Sequence, residues 1–197
     1  MKKILITIFL IALFALTALF LSADFIAHFE GWVYQSITVH MSPTLTSAVK
    51  IITHTGDAMV VTAICLSLFV VPKIRKLYAL PVAFTVSIAE ILNLILKNVF
   101  VRERPNILRL VNETSYSFPS GHAMASAALY SCIAILAWRY NKKIAMTIFC
   151  CVMTILIGLS RVYLGVHYIT DVIGGWCLGI AIATIVTNTY ERITPRP

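Results

Sequence analysis

The sequence predicts an all-α membrane protein with six transmembrane helices, formed as one domain over residues 1–197. Hydrophobic types make up 59% of the chain and charged residues 12%, against about a quarter charged in soluble domains, and the mean hydropathy is +0.89. Charged and helix-breaking residues divide the chain into six apolar runs of roughly 15 to 20 residues, close to the length of a spanning helix. These observations exclude a water-soluble globular protein.

The predicted spans follow one another with short connections. They cover residues 4–22, 51–71, 77–96, 122–139, 144–160 and 172–189. Lys2 and Lys3 before the first run are also found in signal peptides, but the run exceeds the roughly 7 to 15 apolar residues of such a signal, so we expect a retained helix. Residues 24–50 contain Trp32 and Tyr34, which predicts an interfacial helix. The five cysteines lie inside apolar runs, where we expect free thiols.

The distribution of basic residues predicts the orientation. Six spans place both termini on one side, and the positive-inside rule makes that side cytoplasmic. Ten basic residues then lie there: Lys2, Lys3, Lys73, Arg75, Lys76, Arg139, Lys142, Lys143, Arg192 and Arg196. Of the six on the external side, five lie in the segments 97–121 and 161–171. The net charge of +8 sits in short loops, which favours a membrane surface and an anionic substrate over nucleic acid.

Three short motifs lie on the predicted external side. The first runs from Lys97 to Pro105, the second is Pro119-Ser120-Gly121-His122 at the start of a span, and the third runs from Ser160 to Asp171. Serine and glycine at a helix start leave backbone N–H groups free for an anion. If the third segment is helical, its i, i+4 spacing places Asp171 beside His167. Each motif alone has an ordinary explanation in snorkelling, capping or a satisfied hydrogen bond.

Taken together the motifs are far more specific. They resemble the complete signature of the type 2 phosphatidic acid phosphatase superfamily, and within it they look most like the small bacterial phosphatidylglycerophosphate phosphatase B and undecaprenyl-diphosphatase proteins. The matched pattern is Lys97-x6-Arg104-Pro105, Pro119-Ser120-Gly121-His122 and Ser160-Arg161-x5-His167-x3-Asp171.

The resemblance implies a metal-independent lipid phosphatase that needs no cofactor. His167 would attack phosphorus to form a phosphohistidine, Asp171 would orient it, and His122 would protonate the leaving oxygen. The phosphoryl oxygens would be bound by Lys97, Arg104, Ser120, Gly121 and Arg161, where the cations replace a metal ion. The substrate would be a lipid phosphate at the external face of the cytoplasmic membrane: phosphatidylglycerophosphate, undecaprenyl diphosphate or phosphatidic acid. The resemblance leaves monomer and homodimer undecided.

Three other functions remain open at this point. A lipid phosphotransferase would use the same residues, and a serine hydrolase would use Ser120 as nucleophile with His122 or His167 as base. A transporter or lipid-binding protein would use Asp57 and Glu90, two acids within apolar runs. We expect these two acids to support the site at most, and Arg102 is a candidate accessory phosphate contact. Gly175 and Gly179 predict close helix packing.

Overall fold

The computed structural model describes residues 2–106, 108–141 and 143–194, and within them the chain is helical with no strand. The helices are α1 (Lys2–Leu19), α2 (Asp24–Thr38), α3 (Pro43–His54), α4 (Ala58–Val70), the short α5 (Pro72–Ile74) with the π-helical turn Arg75–Ala79, α6 (Leu80–Phe100), α7 (Gly121–Asn141), α8 (Ile144–Tyr163) and α9 (Ile169–Ile193).

Four segments among the described residues are long and apolar enough to cross a membrane. They are Arg75–Phe100, Gly121–Tyr140, Ile144–Tyr163 and Ile169–Ile193. The number rises to six if each of two bent helix pairs, α1 with α2 and α3 with α4, counts as one span. The chain is therefore a multi-pass helical membrane protein, while six spans and cytoplasmic termini remain predictions.

The second predicted span is not continuous. α3 ends at His54, α4 begins at Ala58, and the two axes differ by 48°. Glycine and aspartate at positions 56 and 57 have low helix propensity, which favours a break here. The 24–50 segment likewise forms two helices instead of one, and α2 turns by 101° from α1, as a helix lying along a membrane surface would.

Helices α7 and α9 form the buried centre of the bundle. A Cβ atom at Gly175 would lie 2.8 Å from the Ser120 carbonyl oxygen and 3.0 Å from the Met124 nitrogen. Gly179 approaches the same helix one turn further on, next to Ala127 and the Met124 carbonyl. The predicted close packing at these two glycines is confirmed within one chain, and it fixes α9 against the start of α7.

A ring of exposed apolar side chains surrounds this centre. Large hydrophobic residues are exposed on α1, α4, α6 and α8, including Ile4, Phe9, Met59, Leu66, Phe84, Ile91, Leu94, Ile148 and Ile155. Such a surface would aggregate in water, whereas it is suited to the hydrocarbon core of a bilayer.

Basic residues gather at one end of the bundle. Glu191 lies 2.9 Å from Arg139 and 3.8 Å from Lys3, and the Tyr190 hydroxyl donates to the Lys76 carbonyl at 3.1 Å. These residues belong to the group predicted to share the cytoplasmic side, of which Lys142 and Arg196 lie outside the described residues. The three sequence motifs meet at the other end.

The loop over residues 101–120 covers that other end. Its Phe118 ring is fully buried, stacks on Phe14 at 5.5 Å between centroids and meets Phe100 edge-on at 4.9 Å. The Leu110 N–H donates to the Leu164 carbonyl at 3.0 Å. The loop is thereby fixed to α1, α6 and the turn after α8.

Candidate active site

A cavity of about 480 Å³ opens where the three motifs meet. Five of the predicted site residues line it: Lys97, Arg104, Gly121, His122 and His167. Its remaining walls come from Gly56, Ala58, Glu90, Ile91, Asn93, Leu94, Glu113 and Ser115. Because Ile91 and Leu94 are also exposed on the outer face of α6, the cavity joins a charged interior to an apolar surface.

His167 is held in one orientation at the turn between α8 and α9. Its Nδ1 atom lies 3.3 Å from both Asp171 Oδ2 and Ser117 Oγ, and its Nε2 atom lies 3.2 Å from Arg104 Nη1. With the Nδ1 proton shared with the carboxylate, Nε2 carries the lone pair and accepts from Arg104. The predicted contact with Asp171 is present, but across a helix start: His167 precedes α9, which begins at Ile169.

Asp171 is fully buried and accepts several strong hydrogen bonds. The Ser117 hydroxyl donates to Oδ2 at 2.5 Å, and the Tyr168 N–H does so at 2.9 Å. Arg102 Nη1 donates to Oδ1 at 2.6 Å. Arg102 thus contacts the carboxylate beside His167, and it is not among the residues that line the cavity.

Glu30 on α2 provides the other partner of Arg102. Arg102 Nη2 lies 2.9 Å from both Glu30 carboxylate oxygens, and the Thr170 hydroxyl also bonds to Glu30. Glu30 is only 6% exposed. Helix α2 is therefore joined to Asp171 through a largely buried ion pair.

Lys97 and Arg104 extend from the last turn of α6 and from the following loop. Lys97 Nζ donates to the Tyr116 carbonyl at 2.5 Å and to Ser115 Oγ at 3.0 Å. Arg104 Nη1 donates to the Val166 carbonyl at 2.7 Å, and its Nε donates to the Ser115 carbonyl at the same distance. Both side chains are fixed in place, so their charges are preorganised toward the cavity.

Arg161 lies deeper, at the end of α8, and is 2% exposed. Its Nη1 donates to Thr53 Oγ1 at 2.9 Å, and its Nη2 is paired with the Glu113 carboxylate. Glu113 also lies 3.6 Å from Arg104. Glu113 therefore covers Arg161, which is not among the residues that line the cavity.

Ser120 and Gly121 form the start of α7. The Ser120 side chain is fully buried, and its hydroxyl has no hydrogen-bond partner within the described residues. Asn93 Nδ2 donates to the Pro119 carbonyl at 3.0 Å, which ties this turn to α6. Gly121 lines the cavity, and a Cβ atom there would lie 3.2 Å from Asn93 Oδ1.

His122 faces the cavity from the first turn of α7 and is linked to the break between α3 and α4. Its Nε2 atom lies 2.8 Å from Asp57 Oδ1. Asp57 Oδ2 in turn lies 2.6 Å from His54 Nδ1. Asp57 is therefore in direct contact with His122, a predicted site residue. Its position near the end of a predicted span had not indicated this contact.

Burial and neighbouring charges shift the pKa values of His167 and Glu113, two residues that lie outside the helices. Burial lowers the pKa of His167 to about 3, despite the opposing effect of Asp171, so the imidazole is neutral near pH 7. For Glu113, burial alone would raise the pKa, but the Arg161 and Arg104 guanidiniums outweigh it and hold the pKa below its ordinary value. A neutral histidine thus stands beside a cluster of fixed cations, which can accept a dianion.

Among the described residues no cluster of three His, Cys, Asp or Glu side chains is placed to hold a metal ion.

The contacting residues that sequence reasoning missed lie outside the three motifs. The unpredicted contacts come from Thr53, Glu30, Glu113 and Ser117. Only Glu113 carried a usable signal, as an acid in a segment otherwise rich in basic residues.

A bundle of membrane-length helices with a cationic, histidine-containing cavity at one end is a membrane protein equipped to bind an anion. The chain belongs to the PAP2 superfamily, whose family model matches residues 78–195. It is 41% identical over 109 residues to phosphatidylglycerophosphatase B of Bacillus subtilis (strain 168), covering 53% of this chain and 54% of that protein. The chain therefore spans about half the length of that relative.

Two further similarities extend over more of the chain. An undecaprenyl-diphosphatase of Sulfolobus acidocaldarius is 28% identical over 160 residues, covering 77% of this chain and 73% of that protein. The crystal structure of a transmembrane PAP2-type phosphatidylglycerolphosphate phosphatase from Bacillus subtilis matches with a TM-score of 0.87 and 29% identity, covering 100% of both chains. Aquifex aeolicus LpxE matches with a TM-score of 0.65 and 26% identity, over 80% of this chain and 93% of that one.

Proposed function

We propose that this protein hydrolyses a lipid phosphate monoester or diphosphate at the external face of the cytoplasmic membrane. The observation that carries the proposal is the environment of His167. Its Nδ1 atom lies 3.3 Å from Asp171, while Nε2 lies 3.2 Å from Arg104. A neutral, oriented imidazole beside fixed cations is the arrangement that phosphoryl transfer to nitrogen requires.

In the first step, His167 Nε2 attacks the terminal phosphorus and the bond from that phosphorus to the leaving oxygen breaks. The leaving oxygen is the lipid oxygen of a monoester or the bridging oxygen of a diphosphate. His122 gives its proton to the departing oxygen. In the second step, water attacks the phosphohistidine, His122 takes a proton from that water, and the bond from phosphorus to nitrogen breaks to release phosphate. Lys97, Arg104 and Arg161, with the Ser120 hydroxyl and the Gly121 N–H, stabilise the phosphoryl oxygens in both steps. No step requires a metal ion.

The form of the cavity and the names of the relatives support a lipid substrate. An apolar chain can remain against Ile91 and Leu94 on the outer face of α6 while its phosphate enters the cavity. The relatives are named for phosphatidylglycerophosphate and undecaprenyl diphosphate. We propose these two lipids as the first substrates to examine, followed by phosphatidic acid.

Lipid phosphotransfer is the second candidate, because a second cavity also reaches His167. It measures about 530 Å³ and is lined by Glu30, Tyr34, Arg102 and Tyr168, among others. An acceptor hydroxyl bound there could take the place of water in the second step. This activity would require the same phosphohistidine.

The test measures phosphate release from the three lipids by detergent-purified protein with EDTA present. We expect release by the wild type and by His40→Ala, which replaces an exposed histidine that lines neither cavity, and none by His167→Ala. Acid-labile, base-stable labelling of the wild type by a ³²P-lipid would identify the phosphohistidine. Undiminished release by His167→Ala would contradict the mechanism. Labelling without phosphate release, with the ³²P passing to an added acceptor lipid, would instead identify a phosphotransferase.

A further inference from the structure

We propose that Asp57 is a positioning residue that holds His122 in the orientation and protonation state needed to protonate the leaving oxygen. The proposal rests on the proposed function, because it gives Asp57 a role in the first chemical step. Its basis is the hydrogen bond of 2.8 Å between His122 Nε2 and Asp57 Oδ1. This contact joins the two halves of a broken helix pair to the first turn of α7.

The hydrogen bond determines which ring nitrogen of His122 can deliver a proton. A carboxylate accepts the Nε2 proton, so the second proton of the imidazolium is carried by Nδ1. Nδ1 makes no hydrogen bond within the described part of the chain, and His122 lines the cavity. Asp57 therefore acts on the general acid as Asp171 acts on the nucleophile, with one carboxylate for each histidine.

Charge is the second reason for a carboxylate at this position. His122 also experiences the charges of Arg161 and Glu113, and Glu113 is already paired with Arg161. The Arg161 guanidinium opposes a second positive charge nearby. The Asp57 carboxylate opposes this effect, and its negative charge favours the imidazolium form of His122 relative to a variant that lacks the carboxylate.

The backbone around Asp57 is built to bring it close to His122. A Cβ atom at Gly56 would lie 2.6 Å from Ile157 Cγ2 and 3.3 Å from His122 Cδ2. The helix break is thus packed directly against α7 and α8. One turn earlier, Thr53 accepts from Arg161 at 2.9 Å, so the same break contacts two residues of the site.

His54 completes the arrangement on the water side. Its Nδ1 atom lies 2.6 Å from Asp57 Oδ2, and its side chain is 74% exposed, against 19% for His122. Each oxygen of Asp57 thus binds one histidine. His54 restricts rotation of the Asp57 carboxylate, which keeps Oδ1 aimed at His122.

The test compares two substrates that differ in their need for an acid. Phosphatidic acid releases an alkoxide that must be protonated, whereas p-nitrophenyl phosphate releases a stable phenolate. We expect Asp57→Asn to lower kcat/KM for phosphatidic acid at least about tenfold more than for p-nitrophenyl phosphate, since general acids contribute about 100-fold or more. His122→Ala should also lower kcat/KM more for phosphatidic acid than for p-nitrophenyl phosphate, and by a larger factor than Asp57→Asn. His54→Ala should favour the same substrate, with a loss of roughly threefold on phosphatidic acid. Asp24→Asn and His40→Ala are the matched controls, because both residues are exposed and line neither cavity.

The ratio between the two substrates is independent of the fraction of folded enzyme, so a partly unfolded variant still gives an answer. Equal losses on both substrates would show a purely structural role and overturn the proposal. The proposal would also be overturned if the Asp57→Asn/His122→Ala double variant had a much lower kcat/KM for phosphatidic acid than His122→Ala alone. A residue that acts through His122 has no effect once His122 is gone. If His54→Ala and the wild type have the same ratio of kcat/KM for the two substrates, His54 has no part in positioning Asp57. A wild type inactive on every lipid would instead refute the proposed function.

Discussion

The Glu113 carboxylate is paired with the Arg161 guanidinium at the edge of the cavity, where phosphoryl oxygens would be expected to bind. A bound phosphate would therefore compete with Glu113 for Arg161. We predict that Glu113→Gln tightens inhibition by orthovanadate or phosphate by roughly tenfold, the equivalent of a charge-assisted hydrogen bond of about 1.5 kcal/mol.

The measurement is the inhibition constant of each anion for phosphatidic acid hydrolysis. Glu103→Gln is the matched control, because Glu103 is exposed one residue from Arg104 and its replacement removes the same charge. If both variants bind the anions more tightly by the same factor, the cause is a general change of the electrostatic potential and not the release of Arg161. Weaker binding in Glu113→Gln would mean that Glu113 holds Arg161 in place for the anion.

A second prediction concerns the bridge that Arg102 makes between Asp171 and Glu30. Arg102→Met removes the partner of two buried carboxylates, and breaking a buried ion pair costs about 3 kcal/mol or more. We expect a lower free energy of unfolding together with a lower kcat, because Asp171 then loses one of its fixed hydrogen bonds.

Thermal unfolding in detergent and steady-state kinetics on the folded fraction test this prediction. Arg102→Lys should not restore stability, since an ammonium group cannot bond to both carboxylates through two separate nitrogens. Arg109→Met is the control for the loss of an exposed arginine from the same loop. It should cost less stability, because Arg109 bonds to backbone carbonyls and not to a buried carboxylate. Wild-type stability of Arg102→Met would contradict the prediction.

The buried His167 predicts a pH dependence of stability. Burial lowers its pKa to about 3 in the folded protein, against 6.5 for the free group. Between these values the unfolded chain binds a proton that the folded protein does not, so stability falls as the pH drops below about 6.5. From pH 7.5 to 5.5 the wild type should lose about 1 kcal/mol more than His167→Gln.

Thermal midpoints of both proteins at the two pH values give this difference directly. His40→Gln is the control for the removal of a histidine, at an exposed position that lines neither cavity. Parallel midpoints for the wild type and His167→Gln would show that the folded protein accepts a proton on His167 as readily as the unfolded chain.

The sequence was informative where residues act within contiguous motifs. The apolar runs predicted α6 to α9 to within a few residues, and the motifs predicted five residues that line one cavity. The patterns could not predict contacts between distant segments. Glu30 lies 72 residues from Arg102 and Asp57 lies 65 from His122, and a single acid in an apolar stretch carries no information about its partner.

Local backbone geometry was the second feature that the sequence could not predict. The i, i+4 spacing of His167 and Asp171 suggested one helix, yet the contact forms across the start of α9. A side chain at the third helical position can reach backward to the residue before the helix, which gives the same spacing without helical backbone at His167. The break at 55–57 was similarly hidden, because the surrounding residues are apolar enough for a continuous span.

The last prediction concerns the packing that places α9 against α7. Gly179→Ala would bring a Cβ atom to 2.7 Å from the Ala127 Cβ and 2.8 Å from the Ala128 nitrogen, and these atoms belong to a buried helix that cannot move away. Overpacking of this kind costs about 1 to 3 kcal/mol.

Gly31→Ala in α2 is the matched control, because no atom lies within 4 Å of a Cβ there and alanine is favoured over glycine within a helix by about 1 kcal/mol. The two substitutions add the same methyl group, but only the one at Gly179 meets other atoms. We therefore expect the thermal midpoint in detergent to fall for Gly179→Ala and to rise for Gly31→Ala. A Gly179→Ala midpoint equal to or above that of the wild type would mean that α7 and α9 separate easily, and that their contact does not fix the Ser120–Gly121 turn.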